Sequence, residues 1–161
     1  MIRKVKIILA LFVAAFCLMY ALQNLVNLHA AFGFVAVMAG MENHLAYPES
    51  FGPSVQSPTL IWIMLWIIIS LEFLAGAAAA KGAFDMWVAR DAGPAEFKKA
   101  KTLAILGCGV AVIIWFGIFS AIGGAYFQMW QTEAGVGVNH QAFWFSVQNG
   151  LIWLILASPD D

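Results

Sequence analysis

One carboxylate, Glu72, lies inside an apolar stretch that covers residues 59 to 80. About 20 apolar helical residues cross the hydrocarbon core of a bilayer, so this stretch predicts a transmembrane helix. A charge inside such a helix costs about 3 kcal/mol on insertion scales. Glu72 is therefore expected to be neutral, paired or turned away from lipid. It is either a proton or cation site, or a protonated residue that is hydrogen-bonded in the bundle or that contacts a partner subunit.

The depth of Glu72 limits its possible partners. At a rise of about 1.5 Å per residue, it lies about 20 Å from the outer end of its helix, slightly to the cytoplasmic side of the bilayer centre. Trp115 and Trp153 are expected at that depth, and their indole NH groups could donate to the carboxyl group. Asn24 and Asn27 are expected nearer the outer face, and hence as poor partners.

A second group of polar residues is expected at the outer ends of the helices. Amides of this kind form hydrogen bonds between helices and hold a bundle in register. Packing is the expected role of the group, with a ligand site as the alternative. The group comprises Asn24, Asn27, Gln128 and Gln148.

The three histidines, His29, His44 and His140, are all expected on the outer side. Imidazole is a good ligand for copper and zinc, so an outer-face metal or cofactor site is a weaker alternative function. No pair of histidines has the close spacing of a metal motif. The sequence also contains no phosphate-binding glycine loop, nucleophile elbow or triad-like grouping, so nothing in it indicates an enzyme.

The composition is that of an integral membrane protein. Of the 161 residues, 63% are hydrophobic and 11% are charged. A soluble domain has about 25% charged residues and needs them to cover its surface. The chain is long enough for one domain, and most of its length is required for the membrane spans.

The predicted fold class is an all-α polytopic membrane protein with four transmembrane helices. A short apolar stretch, residues 29 to 41, is too short to cross a bilayer and predicts an interfacial or re-entrant helix after the first span. The whole chain forms a single domain in this prediction. Its spans are residues 7 to 28, 59 to 80, 102 to 126 and 141 to 157, with a cytoplasmic loop at residues 81 to 101.

The basic residues predict the orientation of these spans. All eight lysines and arginines lie either before the first span or within residues 81 to 101. The positive-inside rule places both segments in the cytoplasm. Residues 42 to 58 and 131 to 140 contain no lysine or arginine and are expected on the opposite side. Four spans with both termini in the cytoplasm satisfy these constraints.

The run GGAYFQMWQ, from Gly123 to Gln131, is the most specific motif in the chain. Further positions carry the same resemblance as this motif. They are Asn24, Asn27, Phe34, Val35, Met41, Glu42, Glu72, Phe97, Lys101, Gly107 and residues 139 to 143. Through these positions the chain resembles a family of small bacterial integral membrane proteins of unknown function, domain of unknown function 2165, over nearly its whole length. The resemblance implies a four-helix membrane protein of bacterial origin and supplies no activity.

The chain departs from that family's pattern at four positions. Ala125 stands where an acidic residue is expected, and Tyr126 stands where the family has a tryptophan. Val37 and Trp144 occupy the places of a histidine and an arginine. If the family has a polar site on its outer side, this member lacks part of it.

The leading functional hypothesis is a non-catalytic accessory subunit of a larger complex in the bacterial inner membrane, such as a respiratory or other oxidoreductase assembly. The alternative is a small transporter or channel that uses Glu72 as its proton or ion site. The expected partners are the lipid bilayer and a larger membrane protein complex, with no nucleic acid, and bound lipid is expected in place of a cofactor. The residues expected to contact a partner are the first outer loop and Tyr126, Phe127, Met129, Trp130 and Gln131.

Overall fold

The computed structural model describes residues 1 to 42 and 44 to 160, and its regular elements in that part of the chain are all helical. The all-α prediction is confirmed. The helices are α1 (Ile2–Val26), α2 (Leu28–Gly40), α3 (Pro58–Val88), α4 (Pro94–Ala100), α5 (Thr102–Val112) and α6 (Glu133–Ala157). A π-helical segment, Ile113–Tyr126, continues α5, and a 3₁₀ turn, Met129–Gln131, precedes α6.

Three helices of the described chain are long and apolar enough to cross a membrane. They are α1, α3 and the continuous helical stretch Pro94–Tyr126. Helix α6 has 25 residues, which is also sufficient length, but its amides and His140 lower its hydropathy. Three of the four predicted spans are therefore present as helices of sufficient length and hydropathy to cross a membrane, and a crossing by α6 stays a prediction.

The long helices run alternately in opposite directions. Helix α1 begins where α6 ends, because Lys6 Nζ donates to the Ser158 carbonyl at 2.7 Å. Helix α5 begins at the same end, since Lys101 Nζ donates to that carbonyl at 2.9 Å. The turn after α3 lies there as well, where Arg3 donates to the Ala92 carbonyl at 2.7 Å. We call this end of the bundle the basic end and the opposite end the loop end.

Helix α2 continues along α3 in the same direction as α1. The two helices are separated by Asn27, whose backbone (φ −109°, ψ 37°) departs from helical geometry. Leu18 of α1 lies against Gly76 in the C-terminal half of α3, whereas Val35 of α2 packs in a cluster with Leu65 in the N-terminal half. The short helix expected after the first span is thus present, and it lies lengthwise on α3.

Helix α3 extends beyond the apolar stretch that predicted it. The helix continues to Val88, so residues 81 to 88, which were expected in the cytoplasmic loop, are helical. Lys81 and Asp85 form an ion pair one turn apart on this polar extension. Hydropathy marks where apolar residues end, whereas the helix ends where its backbone hydrogen bonds do.

Helix α6 likewise begins earlier than hydropathy indicates. Residues 133 to 140, which were expected in a loop, form its first turns. The Thr132 side chain accepts a hydrogen bond from the Gly135 backbone NH at 3.1 Å and caps the helix. Threonine is a favoured residue at this capping position, so a local signal for the start of α6 is present in the sequence.

Helices α3 and α5 approach each other through glycines. A Cβ atom added to Gly107 would lie 2.7 Å from the Ala75 carbonyl and from the Ala79 nitrogen. A Cβ atom added to Gly82 would lie 2.1 Å from the Ala104 nitrogen. Only glycine fits at these two positions, as small-residue packing between membrane helices requires.

Candidate functional site

Glu72 lies about midway between the two ends of α3. It is 1% exposed, and its Oε2 atom accepts a hydrogen bond from Asn24 Nδ2 at 2.9 Å. Among residues 1 to 42 and 44 to 160, no lysine, arginine or histidine forms an ion pair with it. One amide therefore holds a buried carboxyl group that has no cationic partner in the described chain.

The donor to Glu72 is not the one that the sequence predicts. The depth count placed Asn24 near a membrane face because it treated the end of α1 as the end of the first span. In the structure the chain continues through α2 along α3, so Asn24 reaches the level of the middle of α3. The prediction that Asn24 is a poor partner is wrong. Trp115 is close, in the wall of the same cavity, whereas Trp153 is 41% exposed.

A cavity of about 200 Å³ lies beside Glu72. Its wall combines α1, α2, α3, the π-helical segment and α6, and we call it the Glu72 cavity. It is lined by Tyr20, Asn24, Ala31, Phe34, Val35, Leu65, Ile68, Glu72, Trp115, Phe119, Val138, Gln141, Ala142 and Phe145. The wall is mostly apolar and contains a few polar groups, which is the usual composition of a ligand site.

Aromatic rings form one side of the Glu72 cavity. The ring of Phe145 lies 5.3 Å from that of Tyr20 and 5.7 Å from that of Trp115, both in edge-to-face geometry. Phe16 packs behind them, with its ring centroid 4.9 Å from that of Phe145. Such contacts hold the rings in fixed orientations. The cavity therefore combines a rigid aromatic wall with a carboxyl group.

The π-helical segment brings two of the lining residues, Trp115 and Phe119, to the cavity. Within it, the Ser120 hydroxyl donates to the Trp115 carbonyl at 3.1 Å, and the segment ends with the Phe127 NH bonded to the Ile122 carbonyl. Wide turns of this kind occur frequently at functional sites. Sequence reasoning missed the segment because its residues read as an ordinary apolar span.

A second polar cluster lies at the basic end and was also missed. Lys6 is completely buried, and its Nζ donates to Asp160 at 2.6 Å and to the Pro159 carbonyl at 2.8 Å. Lys101 is buried beside it and donates to Asp160 at 2.8 Å. A lysine of α1 and the lysine that directly precedes α5 thus hold the segment that follows α6. The sequence shows only basic residues near a membrane surface, which normally lie in solvent.

Asp160 is held ionised by this cluster. Burial raises the pKa of its carboxyl group, but hydrogen bonds from Lys101 and Lys6 outweigh that effect and hold the pKa below its ordinary value. Opposite charges at hydrogen-bond distance favour the charged form in this way. The cluster is therefore an electrostatic anchor for the C-terminal segment.

A family model described as predicted small integral membrane protein (DUF2165) matches residues 2–159. This match includes the helices of the described chain, the Asn24 and Glu72 pair, and the buried lysines Lys6 and Lys101. The chain belongs to the DUF2165 family. The resemblance found in the sequence is confirmed, and an integral membrane protein is in contact with the lipid bilayer. Comparison with curated proteins and with solved structures gives no match.

In this DUF2165 protein the motif from Gly123 to Gln131 supports the loop between α2 and α3. The Gln131 side chain accepts hydrogen bonds from the backbone NH groups of Ala46 and Tyr47, at 3.0 and 2.8 Å. The same amide donates to the Tyr47 carbonyl at 3.1 Å, and the Trp130 ring packs on the Tyr47 ring at 5.4 Å. The motif thus fastens the segment between α2 and α3 to the start of α6.

The other residues predicted to contact a partner also make contacts within the chain. The Tyr126 hydroxyl donates to the Pro53 carbonyl at 3.1 Å. Phe127 and Met129 are buried, at 7% and 1% exposure. Contact of this motif with a partner protein stays a prediction, and the structure shows an intramolecular role for it.

The four amides of the predicted outer cluster are dispersed. Asn24 binds Glu72 inside the bundle, whereas Asn27 donates to the Gln23 carbonyl of its own helix at 2.9 Å. Gln128 is bonded to the Gln131 side chain at the loop end. Gln148 is exposed in the C-terminal half of α6, away from the loop end, where that helix begins. The structure therefore does not bring these four residues together.

The three histidines lie on different elements. His29 is exposed on α2 with its ring 6.3 Å from that of Trp62, and His140 is exposed on α6. His44 lies between α2 and α3 with Nε2 buried. Within the described residues, no group of three or more His, Cys, Asp or Glu side chains is placed to hold a metal ion. An outer-face metal site stays a prediction.

Proposed function

We propose that this protein is a non-catalytic accessory subunit of a larger complex in the bacterial inner membrane, such as a respiratory or other oxidoreductase assembly. In this proposal all four long helices cross the membrane and both termini are cytoplasmic. The clustering of basic residues at the end of the bundle that holds both termini supports that orientation.

The observation that supports the accessory role best is an amide that is exposed on the outer surface of the bundle, about midway between its two ends. Gln148 is exposed on α6, one helical turn beyond Phe145, whose ring lines the Glu72 cavity. His140 and Trp144 precede it at intervals of four residues and are also exposed. An amide facing lipid at this depth has no hydrogen-bond partner, whereas an amide facing another membrane helix gains one. This face of α6 therefore suits a protein neighbour.

Native extraction tests the accessory role. Membranes that contain the untagged protein are solubilised in mild detergent, separated under native conditions and examined by mass spectrometry. We expect comigration with larger subunits at fixed stoichiometry, and its loss in Gln148→Leu. Gln56→Leu is the matched control, since Gln56 is exposed in the segment between α2 and α3. Migration of the wild type alone or as a small homo-oligomer would overturn the proposal.

Labelling tests the proposed orientation. Single cysteines in place of Glu49, at the loop end, and Lys98, at the basic end, would be exposed, whereas native Cys17 and Cys108 are buried. In intact cells an impermeant maleimide should label the Glu49→Cys variant and spare the Lys98→Cys variant. The reverse pattern, or labelling of both variants, would contradict the topology.

A second candidate function is a small transporter or channel with Glu72 as its ion or proton site. The Glu72 cavity supports it, because the carboxyl group faces a space between helices at mid-depth. Flux into proteoliposomes of purified protein should fall when Glu72 is replaced by Gln. Unchanged flux in that variant, or no flux with the wild type, would eliminate this function.

A further inference from the structure

The Glu72 cavity leaves a carboxyl group with unused hydrogen-bonding capacity. Within residues 1 to 42 and 44 to 160, the Glu72 side chain accepts one hydrogen bond, from Asn24 to Oε2 at 2.9 Å. The lysines and arginines that form ion pairs in the described chain do so at the basic end or on the polar end of α3. A carboxylate at such a site requires either a proton or a positively charged ligand to offset its burial.

The other walls of the cavity indicate which kind of cation would fit. Calcium takes six to eight oxygen ligands, and magnesium demands an octahedral set. Apart from Glu72, the oxygen-bearing side chains that line the cavity are those of Tyr20, Asn24 and Gln141. Most of the remaining wall consists of aliphatic side chains and the rings of Phe34, Trp115, Phe119 and Phe145. Such a wall suits the apolar part of an organic ammonium ion, whose nitrogen needs fewer oxygen ligands than a metal ion does.

The size and the opening of the cavity limit the ligand further. A volume of about 200 Å³ is below the range of about 300 to 1,000 Å³ that is usual for drug-sized ligands. Gln141 of α6 is exposed and Ala31 of α2 is half-buried, and both line the cavity. The cavity therefore reaches the surface between these two helices. A small molecule could therefore enter from the side of the bundle.

We propose that the Glu72 cavity binds a small organic ammonium ion, with its nitrogen at Glu72 and its apolar part among the rings of Trp115, Phe119 and Phe145. This proposal deepens the second candidate function, on which it rests for the role of Glu72, by naming the class of ligand. Binding is nevertheless measured separately from transport, so each can fail without the other.

A pair of probes of similar size tests the proposal. Phenethylammonium carries the charge, and the neutral 2-phenylethanol lacks it. With purified full-length protein in detergent, titration calorimetry should give at least about tenfold tighter binding of the ammonium ion. Glu72→Gln should abolish this preference, whereas Glu133→Gln, which removes an exposed carboxylate outside the cavity, should keep it. Equal binding of the two probes, no binding of the ammonium ion, or a preference that survives in Glu72→Gln would overturn the proposal.

A measurement on the wild type keeps the test independent of how well the Glu72 variant folds. A hydrophobic carbodiimide should modify Glu72, as mass spectrometry of the digested protein would show. Phenethylammonium should protect Glu72 from modification, whereas 2-phenylethanol at the same concentration should not. Equal protection by both probes, or by neither, would count against an ammonium site.

If the ammonium ion binds and no flux is found, only the transport function fails. Proton or inorganic ion flux without ammonium binding would eliminate only the present inference.

Discussion

At the scale of single residues, the hydrogen bond between Asn24 and Glu72 joins α1 to α3 inside the bundle. Glu72 is buried, so the loss of its donor would leave a polar group without a protein partner. An unsatisfied buried group costs more than the bond itself contributes, because the group has also lost its water. The pair is therefore expected to matter for stability whether or not the cavity holds a ligand.

Replacement of Asn24 tests this dependence. We expect Asn24→Ala to lower the free energy of unfolding by about 1 to 3 kcal/mol, because Glu72 loses its donor. The matched control is Gln23→Ala, which removes an exposed amide from the same turn of α1. Denaturant unfolding in detergent micelles measures both variants. A loss no larger in Asn24→Ala than in the control would show that the hydrogen bond contributes little.

At the scale of helices, α3 is the element against which α1, α2 and α5 pack, whereas α6 packs on α5 and the π-helical segment. Helices α1 and α2 cover its length on one side, and α5 approaches it on another through Gly82 and Gly107. Without a hydrophobic driving force between membrane helices, close backbone contact supplies much of their association. Added volume at these contacts must therefore separate the helices.

Alanine substitutions at two glycines of α5 separate packing from helix propensity. Gly107→Ala should destabilise the protein by about 1 to 3 kcal/mol, because the new methyl group would overlap α3. Gly109→Ala meets no atom within 4 Å, so the higher helix propensity of alanine should leave stability equal or slightly increased. Thermal unfolding in one detergent compares the two variants. Equal effects at both positions would contradict the close contact.

At the scale of the whole molecule, the basic end joins the first and last helices. Lys6 of α1 and Lys101, which directly precedes α5, both bind Asp160, which follows α6. Burying these charges is costly, and their mutual attraction offsets the cost only while all three are present. The anchor closes the bundle at one end, as the contacts of Gln131 with the loop before α3 do at the other.

This anchor makes stability depend on pH. Because the folded-state pKa of Asp160 is lowered, its contribution is fully present above the unfolded pKa of about 4. That contribution is lost as pH falls from there through the folded pKa. We expect the free energy of unfolding to fall below about pH 4, and Asp160→Asn to reduce that fall. Asp91→Asn, at an exposed carboxylate, is the control, and identical pH profiles of wild type and Asp160→Asn would contradict the anchor.

The amino-acid sequence by itself determined the fold class, the existence of the membrane helices and the family. Apolar stretches of about 20 residues and the grouping of basic residues are strong local signals, because a bilayer imposes length and charge rules on every span. The polar ends of α3 and α6 are helical for other reasons. An ion pair on α3 and a capping side chain before α6 accompany the turns that extend beyond the apolar residues.

Only the tertiary structure decided which polar residues meet. Depth counts treated each helix as a separate rod, and they misplaced Asn24 because the break at Asn27 lets α2 continue along α3. Lys6 is separated from Asp160 by most of the chain, and Lys101 is separated from it by α5, the π-helical segment and α6. No local pattern links these lysines to Asp160. Composition and periodicity report what a residue prefers, whereas packing of distant helices determines which partner satisfies it.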